Sequence, residues 1–202
     1  MKQCVLIGKT NVGKTVFAIN FADFLGVSKL AIEFTTPNGE IYERNLSLSD
    51  ALQELTSDTP HHTLGLQKFQ ISLPGLKGRK RFTIVDTSGL TEGIHREAFV
   101  RKAMAQTLAQ VRTAAVILHL IDAGSVGKVG VLEAVGEVDW QVAQFGGMRR
   151  GYAILANKMD LMGAKQGLLK IRQDFPGHLI IPISALNKTG FTEVKQYVWR
   201  HI

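Results

Sequence analysis

The sequence predicts an α/β protein in three layers, a mostly parallel six-stranded sheet with about five flanking helices. Two observations carry this. Apolar, β-branched runs alternate along the chain with amphipathic segments of helical period, as strands joined by crossover helices do. The chain has 202 residues, 45% of them apolar, which is ample for one such domain and short for two. At this length folding buries roughly 70% of the unfolded chain's surface, so neither metals nor disulfides are needed to hold a core.

Lys2–Ile7 reads as the first strand, followed by a glycine-rich turn. From Lys14, the positions Phe17, Phe21, Phe24 and Leu25 fall on one face of a helix that Gly26 would end. Leu66–Ser72 and Arg81–Val85 read as two adjacent strands. Residues 95–110 are alanine-rich and helical, and Ala115–Ile121 is a buried strand. Leu132, Val135, Val142 and Phe145 mark another helix, and Tyr152–Ala156 another strand. Lys165–Gln173 is helical, Leu179–Ile183 is the last strand, and Phe191, Val194 and Val198 give the closing helix its apolar face. Residues 26–62 break the alternation. There Lys29–Thr36 and Glu40–Leu46 flank Pro37-Asn38-Gly39, a hairpin signal, and Ser49 or Asp50 can cap a short following helix.

The single cysteine, Cys4, excludes a disulfide framework and fits a reducing compartment. No apolar run approaches the ~18–20 residues of a membrane span, and the longest, Ala114–Ile121, is interrupted by His119. The start of the chain shows no cleavage-site pattern. A soluble, cytoplasmic protein is therefore expected. The net charge of +7 favours nucleotides, nucleic acid or anionic membrane faces as partners. The one dense basic cluster, Lys77, Arg79, Lys80 and Arg81, reads as a solvated turn; the other reading is RNA contact, although no aromatic residues interleave the charges as a stacking platform would require.

Gly8-Lys9-Thr10-Asn11-Val12-Gly13-Lys14-Thr15 matches the phosphate-loop pattern G-x-x-x-x-G-K-[ST] between a strand and a helix. Its glycines let the backbone curl so that N–H groups point at phosphate oxygens, and the helix N-terminus adds partial positive charge. Lys14 would reach the β- and γ-phosphates, and the Thr15 hydroxyl would hold Mg²⁺. Asp86-Thr87-Ser88-Gly89 follows a strand. Its carboxylate suits Mg²⁺ held through water, and Gly89 can bring its N–H against a γ-phosphate. Asn157-Lys158-Met159-Asp160 and Ser184-Ala185-Leu186 each follow a strand as well. A buried carboxylate in the first can accept from the N1–H and exocyclic amine of guanine, a donor pair that adenine lacks. The second can offer a backbone N–H to the guanine carbonyl.

These four elements, in this order, resemble the P-loop GTPases, in particular the Era-like group of the translation-factor class. The closing Asn187-Lys188-Thr189-Gly190 and final helix are similar to that group too. The resemblance implies a single G domain over residues 1–202, with the Leu66–Ser72 strand antiparallel to the rest of the sheet and residues about 27–58 as an insertion. It implies that Gly8, Asn11, Val12, Gly13, Lys14 and Thr15 bind the phosphates. It further implies that Asn157 and Asp160 read guanine, that Lys158 packs over the base, and that Ser184, Ala185 and Leu186 support the ring.

By the same resemblance, a switch threonine contacts Mg²⁺ and senses the γ-phosphate. Thr63 stands in the matching place, Thr59 competes with it, and Thr35 and Thr36 lie far upstream. The neighbouring His61 and His62 read as solvated loop residues rather than a metal pair. Thr15, Thr63 and Asp86 are then the metal-side residues, and Lys14, Thr63, Gly89 and Asn11 those acting on hydrolysis. After Gly89, where classical small GTPases carry a water-orienting glutamine, the chain has Leu90, which cannot position water. Relatives with this replacement recruit K⁺ through an asparagine at the place of Asn11; the other reading of Asn11 is that it shapes the turn.

Three functions fit these residues. The first is a GTP-hydrolysing switch with Mg²⁺, slow alone, K⁺-stimulated through Asn11, and acting on a protein or ribonucleoprotein effector. The second is a GTP-binding interaction module with negligible hydrolysis, using the insertion as a partner surface. The third is a nucleotide kinase, which Asn157–Asp160 argue against. Homodimerisation across the switch face is an open expectation.

Overall fold

The computed structural model describes residues 1–56, 65–75, 78–90, 98–128 and 135–202. Its elements are β1 (Lys2–Ile7), α1 (Lys14–Phe24), β2 (Lys29–Thr35), β3 (Ile41–Ser47), α2 (Leu48–Leu55), β4 (Leu66–Gly75), β5 (Gly78–Asp86), α3 (Ala98–Thr113), β6 (Val116–Asp122), α4 (Ala123–Val126), α5 (Glu137–Gly147), β7 (Tyr152–Asn157), α6 (Ala164–Asp174), β8 (Ile180–Pro182) and α7 (Phe191–His201). The strands form one sheet in the order β3-β2-β4-β5-β1-β6-β7-β8. β1 runs parallel to β5 and β6, and β6, β7 and β8 are mutually parallel. β4 is antiparallel to β5 and to β2, and β3 to β2.

The three-layer α/β class is as the sequence predicts, but the sheet has eight strands rather than six, two of them opposed, and seven helices are described rather than about five. The difference lies mainly between residues 29 and 55. The Asn38-Gly39 hairpin forms, with Gly39 at φ 90° and Thr35 opposite Ile41. Its first strand then pairs with β4, Ile32 lying opposite Phe69, so the hairpin widens the sheet. The cap of α2 is also displaced. Ser47, rather than Ser49 or Asp50, accepts the Asp50 N–H over 3.1 Å.

Two apolar clusters cover the two faces of the sheet. On one, Phe17 and Phe21 of α1 stack at 5.1 Å and meet Phe191 of α7 edge-on at 5.2 and 5.5 Å. Burying each such ring stabilises the fold by roughly 2–3 kcal/mol. α2 joins this layer through Ala51 and Leu55. Phe24 lies on the same face, as expected, its ring centroid 5.7 Å from that of Phe191, but is partly exposed at the helix end. On the other face Val111, Ala143, Ala164 and Ile171 bring α3, α5 and α6 against the sheet. Leu132 lies outside the described residues. In the basic cluster, Lys80 is used internally. Its ammonium lies 4.4 Å from the Trp199 ring centroid and donates to the Trp199 carbonyl at 3.1 Å. Lys77 lies outside the described residues.

Candidate functional site

The parallel strands β1, β5, β6 and β7 end at one edge, and every motif singled out in the sequence follows one of these ends or that of β8. After β1 the chain curls through Gly8, Asn11 and Gly13, with φ of 145°, 58° and 94°. A Cβ on Gly8 would stand 2.3 Å from the Leu120 carbonyl oxygen, so only glycine lets the loop lie this close to β6. Lys14 is buried, and its ammonium donates to the carbonyls of Gly8 at 3.2 Å and Lys9 at 2.7 Å. Burial pulls that ammonium down to about 8, against the Asp86 and Asp139 carboxylates, which hold it up.

Asp86, the last residue of β5, is wholly buried. Its Oδ2 accepts from Thr15 Oγ1 over 2.6 Å, and its Oδ1 is buried without a protein hydrogen-bond partner. Burial pushes its carboxyl up to about 6, although the Lys14 charge and the Thr15 hydrogen bond both work against that rise. A buried hydroxyl–carboxylate pair with a spare oxygen fits a hard cation that takes oxygen ligands, so the donor set suits Mg²⁺. Thr63, Thr59, His61 and His62 lie outside the described residues. Among the described residues, no group of three or more His, Cys, Asp and Glu side chains could hold a metal.

The segment after Asp86 is fixed on both sides. Thr87 Oγ1 donates to the Leu6 carbonyl at 2.8 Å, and Ser88 Oγ lies 3.2 Å from Thr107 Oγ1 of α3. Gly89 lies flat against the phosphate loop, where a Cβ would meet the Thr10 nitrogen and Cα at 2.7 Å. Leu90 is buried, and its N–H donates to the Gly8 carbonyl at 3.0 Å. Its side chain lines an apolar cavity of about 240 Å³ with Ile7, Met104 and Val111.

Asn157 joins the other two motifs to the loop. Its side-chain amide donates to the Val12 carbonyl at 2.7 Å and accepts from the Ala185 N–H at 2.9 Å. Ser184 Oγ donates to Asp160 Oδ1 at 2.5 Å and accepts from the Asn187 N–H at 3.1 Å. Asp160 itself is exposed rather than buried, at the open edge of its loop, and Leu186 is 68% exposed. Lys158 has φ 64°, and its ammonium lies 2.8 Å from Asp122 Oδ2. Sequence reasoning missed Asp122, although it is a strand-end carboxylate placed opposite Asn157 in the register. It also missed Asn20, which donates to the Ala185 carbonyl at 2.8 Å. No spacing in the sequence signals that contact.

A family model described as 50S ribosome-binding GTPase matches residues 45–158, more than half of the chain. The chain belongs to this GTPase family. The match starts beyond Gly8–Thr15. The GTPase Obg of Akkermansia muciniphila is 30% identical over 119 residues, which are 57% of this chain and 33% of Obg. The chain thus spans about a third of the curated relatives it matches. Era of Aquifex aeolicus with GDP and AlF4⁻ superposes at a TM-score of 0.70 and 19% identity, covering 100% of this chain and 57% of Era. Era in complex with MgGDPNP and a 16S ribosomal RNA fragment gives 0.68 and 19%, covering 99% and 56%. At these identities the solved structures establish the fold alone, a three-layer α/β domain with the layout of the Era G domain. Among the described residues no helix is long and apolar enough to cross a membrane.

Proposed function

We propose that this chain binds GTP with Mg²⁺ and hydrolyses it to GDP and phosphate as a conformational switch. The observation that carries the reading is Asn157, whose one amide ties Val12 of the phosphate loop to Ala185 of the Ser184–Leu186 loop. A phosphate cradle and a base-reading carboxylate, Asp160, are thereby parts of one connected site. In this reading Gly8, Val12, Gly13 and Lys14 cradle the phosphates, and Lys158, Ser184, Ala185 and Leu186 flank the base. Thr15 and Asp86 hold the metal with Thr63, whose placement follows the motif order alone. Bound Mg²⁺ would neutralise charge that develops on the phosphates.

Leu90 is buried in an apolar cavity, which supports a mechanism with no side chain orienting the water. Stabilisation of the transition state then rests on Lys14, the Gly89 N–H and a cation near Asn11. The φ of 58° at Asn11 also suits an asparagine that only shapes the turn. Buried Leu90 equally favours the second reading, a module that holds GTP with negligible turnover. Residues about 27–58, as an insertion in a single G domain, would be its partner surface. The family description and Era's RNA complex support a ribonucleoprotein as the partner.

Single-turnover GTP hydrolysis at matched ionic strength in KCl and NaCl tests this, with Asn11→Ala beside the wild type. K⁺ stimulation lost in Asn11→Ala supports the cation-activated switch. GTP binding with negligible turnover in both salts supports the module, and absence of GTP binding overturns both.

A further inference from the structure

A second buried charge meets the phosphate loop from outside the four motifs. The Lys9 ammonium lies 3.4 Å from Asp139 Oδ2, a carboxylate of α5 whose side chain is only 2% exposed. The same oxygen accepts the Gly136 N–H at 3.2 Å, as an acidic residue in the first turn of a helix can. Asp139 Oδ1 accepts from His119 Nε2 at 3.0 Å, and His119 Nδ1 meets the Tyr152 hydroxyl at 2.8 Å. His119 is fully buried in β6 and Tyr152 is nearly so in β7. Burial, with the Asp139 charge adding to it, drives the Tyr152 phenol well above its ordinary value, so its hydroxyl keeps the proton. Burial would also raise Asp139, but the His119 and Gly136 hydrogen bonds and the His119 and Lys9 charges outweigh it, and its carboxyl lies below the usual range.

The string is anchored at one end in β6 and β7 and ends on the loop at the other. Lys9 sits at a junction of the proposed site. Its carbonyl accepts from Lys14 at 2.7 Å, and its backbone pairs with Leu90 in a parallel bridge. Holding this helix to this loop would not by itself require charge. A buried ion pair is commonly no more stabilising than apolar residues of the same volume. A directed pair does one thing that an apolar contact does not, which is to fix the position of one loop residue against a rigid anchor.

We propose that Asp139, oriented by His119 and Tyr152, is a positioning residue that acts through the Lys9 side chain to hold the phosphate loop in its nucleotide-binding curl. This rests on the GTP-binding reading above. Its consequence is a coupling between residues 9 and 139 that appears in nucleotide affinity and not only in folding.

The test is a double-mutant cycle on the full chain. Dissociation constants for a fluorescent GDP analogue and thermal midpoints are measured for wild type, Lys9→Met, Asp139→Asn and the double variant. Each single substitution is expected to weaken binding about tenfold, and the double no more than either alone, since neighbouring partners are non-additive. Lys9→Arg should recover most of what Lys9→Met loses, because it restores the cation. Folded single variants with wild-type affinity, or losses that simply add, would overturn the inference. If Asp139→Asn does not fold, the cycle is run with Tyr152→Phe in its place, where a smaller but still non-additive loss is expected and an additive one counts against. A wild type that binds no guanine nucleotide removes the functional reading and this inference with it. Binding by the wild type with uncoupled variants removes this inference alone.

Discussion

Thr15 Oγ1 donates to Asp86 Oδ2 over 2.6 Å, tying the first turn of α1 to the last residue of β5. The partner oxygen, Asp86 Oδ1, is buried without a protein partner. The geometry has a cost, since burial raises the Asp86 carboxyl from its ordinary 3.8 to about 6.

A raised carboxyl binds its proton more tightly in the folded chain than in the unfolded one. Its contribution to stability is therefore intact below pH ~4 and is lost as pH rises through about 6. The interval corresponds to roughly 3 kcal/mol as an upper figure. Asp86→Asn carries no such penalty. Urea unfolding should show the variant gaining on the wild type between pH 4 and 7, by up to about that amount. GDP alone should stabilise both proteins, and adding Mg²⁺ to the GDP-bound form should stabilise the wild type further and the variant little. Parallel stability curves across that range would contradict the prediction.

Asn157→Ala should damage fold and binding together. It leaves the Val12 carbonyl and the Ala185 N–H without their partner. Two stranded buried groups cost about 2–5 kcal/mol, seen as a lower thermal midpoint. Guanine nucleotide affinity should fall more than about tenfold, because both halves of the cradle lose their common tie. An affinity loss without destabilisation would mean that the amide contacts only ligand.

The motifs were legible in the sequence because each states a local backbone requirement. Gly8 and Gly13 permit the curl, and Asp86, Asn157 and Ser184 each follow an apolar run that had to be a strand. The Asn38-Gly39 hairpin was legible for the same reason. Its docking on β4 was not, since the pairing of Ile32 with Phe69 joins residues that no local period relates. The α2 cap was misplaced because Ser47, Ser49 and Asp50 are alternative capping types within three residues, and only the turn geometry chooses among them. Asp122 with Lys158, and Lys9 with Asp139, are contacts between distant elements made by ordinary charged residues. A carboxylate at a helix start or strand end shows in the sequence, but its partner does not.

Asp160→Asn should change which base is held. Ser184 occupies Asp160 Oδ1, and the exposed side chain keeps its other oxygen for a ligand. A carboxylate there accepts the N1–H and exocyclic amine of guanine. A carboxamide offers one acceptor and one donor, which suits the C2 carbonyl of xanthine in place of the amine. Competition binding should show GTP affinity down by about a hundredfold or more and xanthosine triphosphate gaining. Equal loss of both nucleotides would mean that Asp160 acts through Ser184 alone.

Gly89→Ala should separate the two nucleotide states. The added Cβ would meet the Thr10 nitrogen and Cα at 2.7 Å, and backbone atoms cannot swing aside. Residues 89 and 90 must then lift from the phosphate loop, breaking the Leu90 N–H bond to the Gly8 carbonyl, at a cost of about 1–3 kcal/mol. Lys14, Thr15 and the base-reading loops do not depend on that contact, so GDP should bind within about threefold of wild type. GTP affinity and single-turnover hydrolysis should each fall more than about tenfold, because the Gly89 N–H is proposed to meet only the γ-phosphate. If GDP and GTP affinity fell equally, the Gly89–Thr10 contact would be shaping the phosphate loop as a whole, and the γ-phosphate would have to be sensed elsewhere.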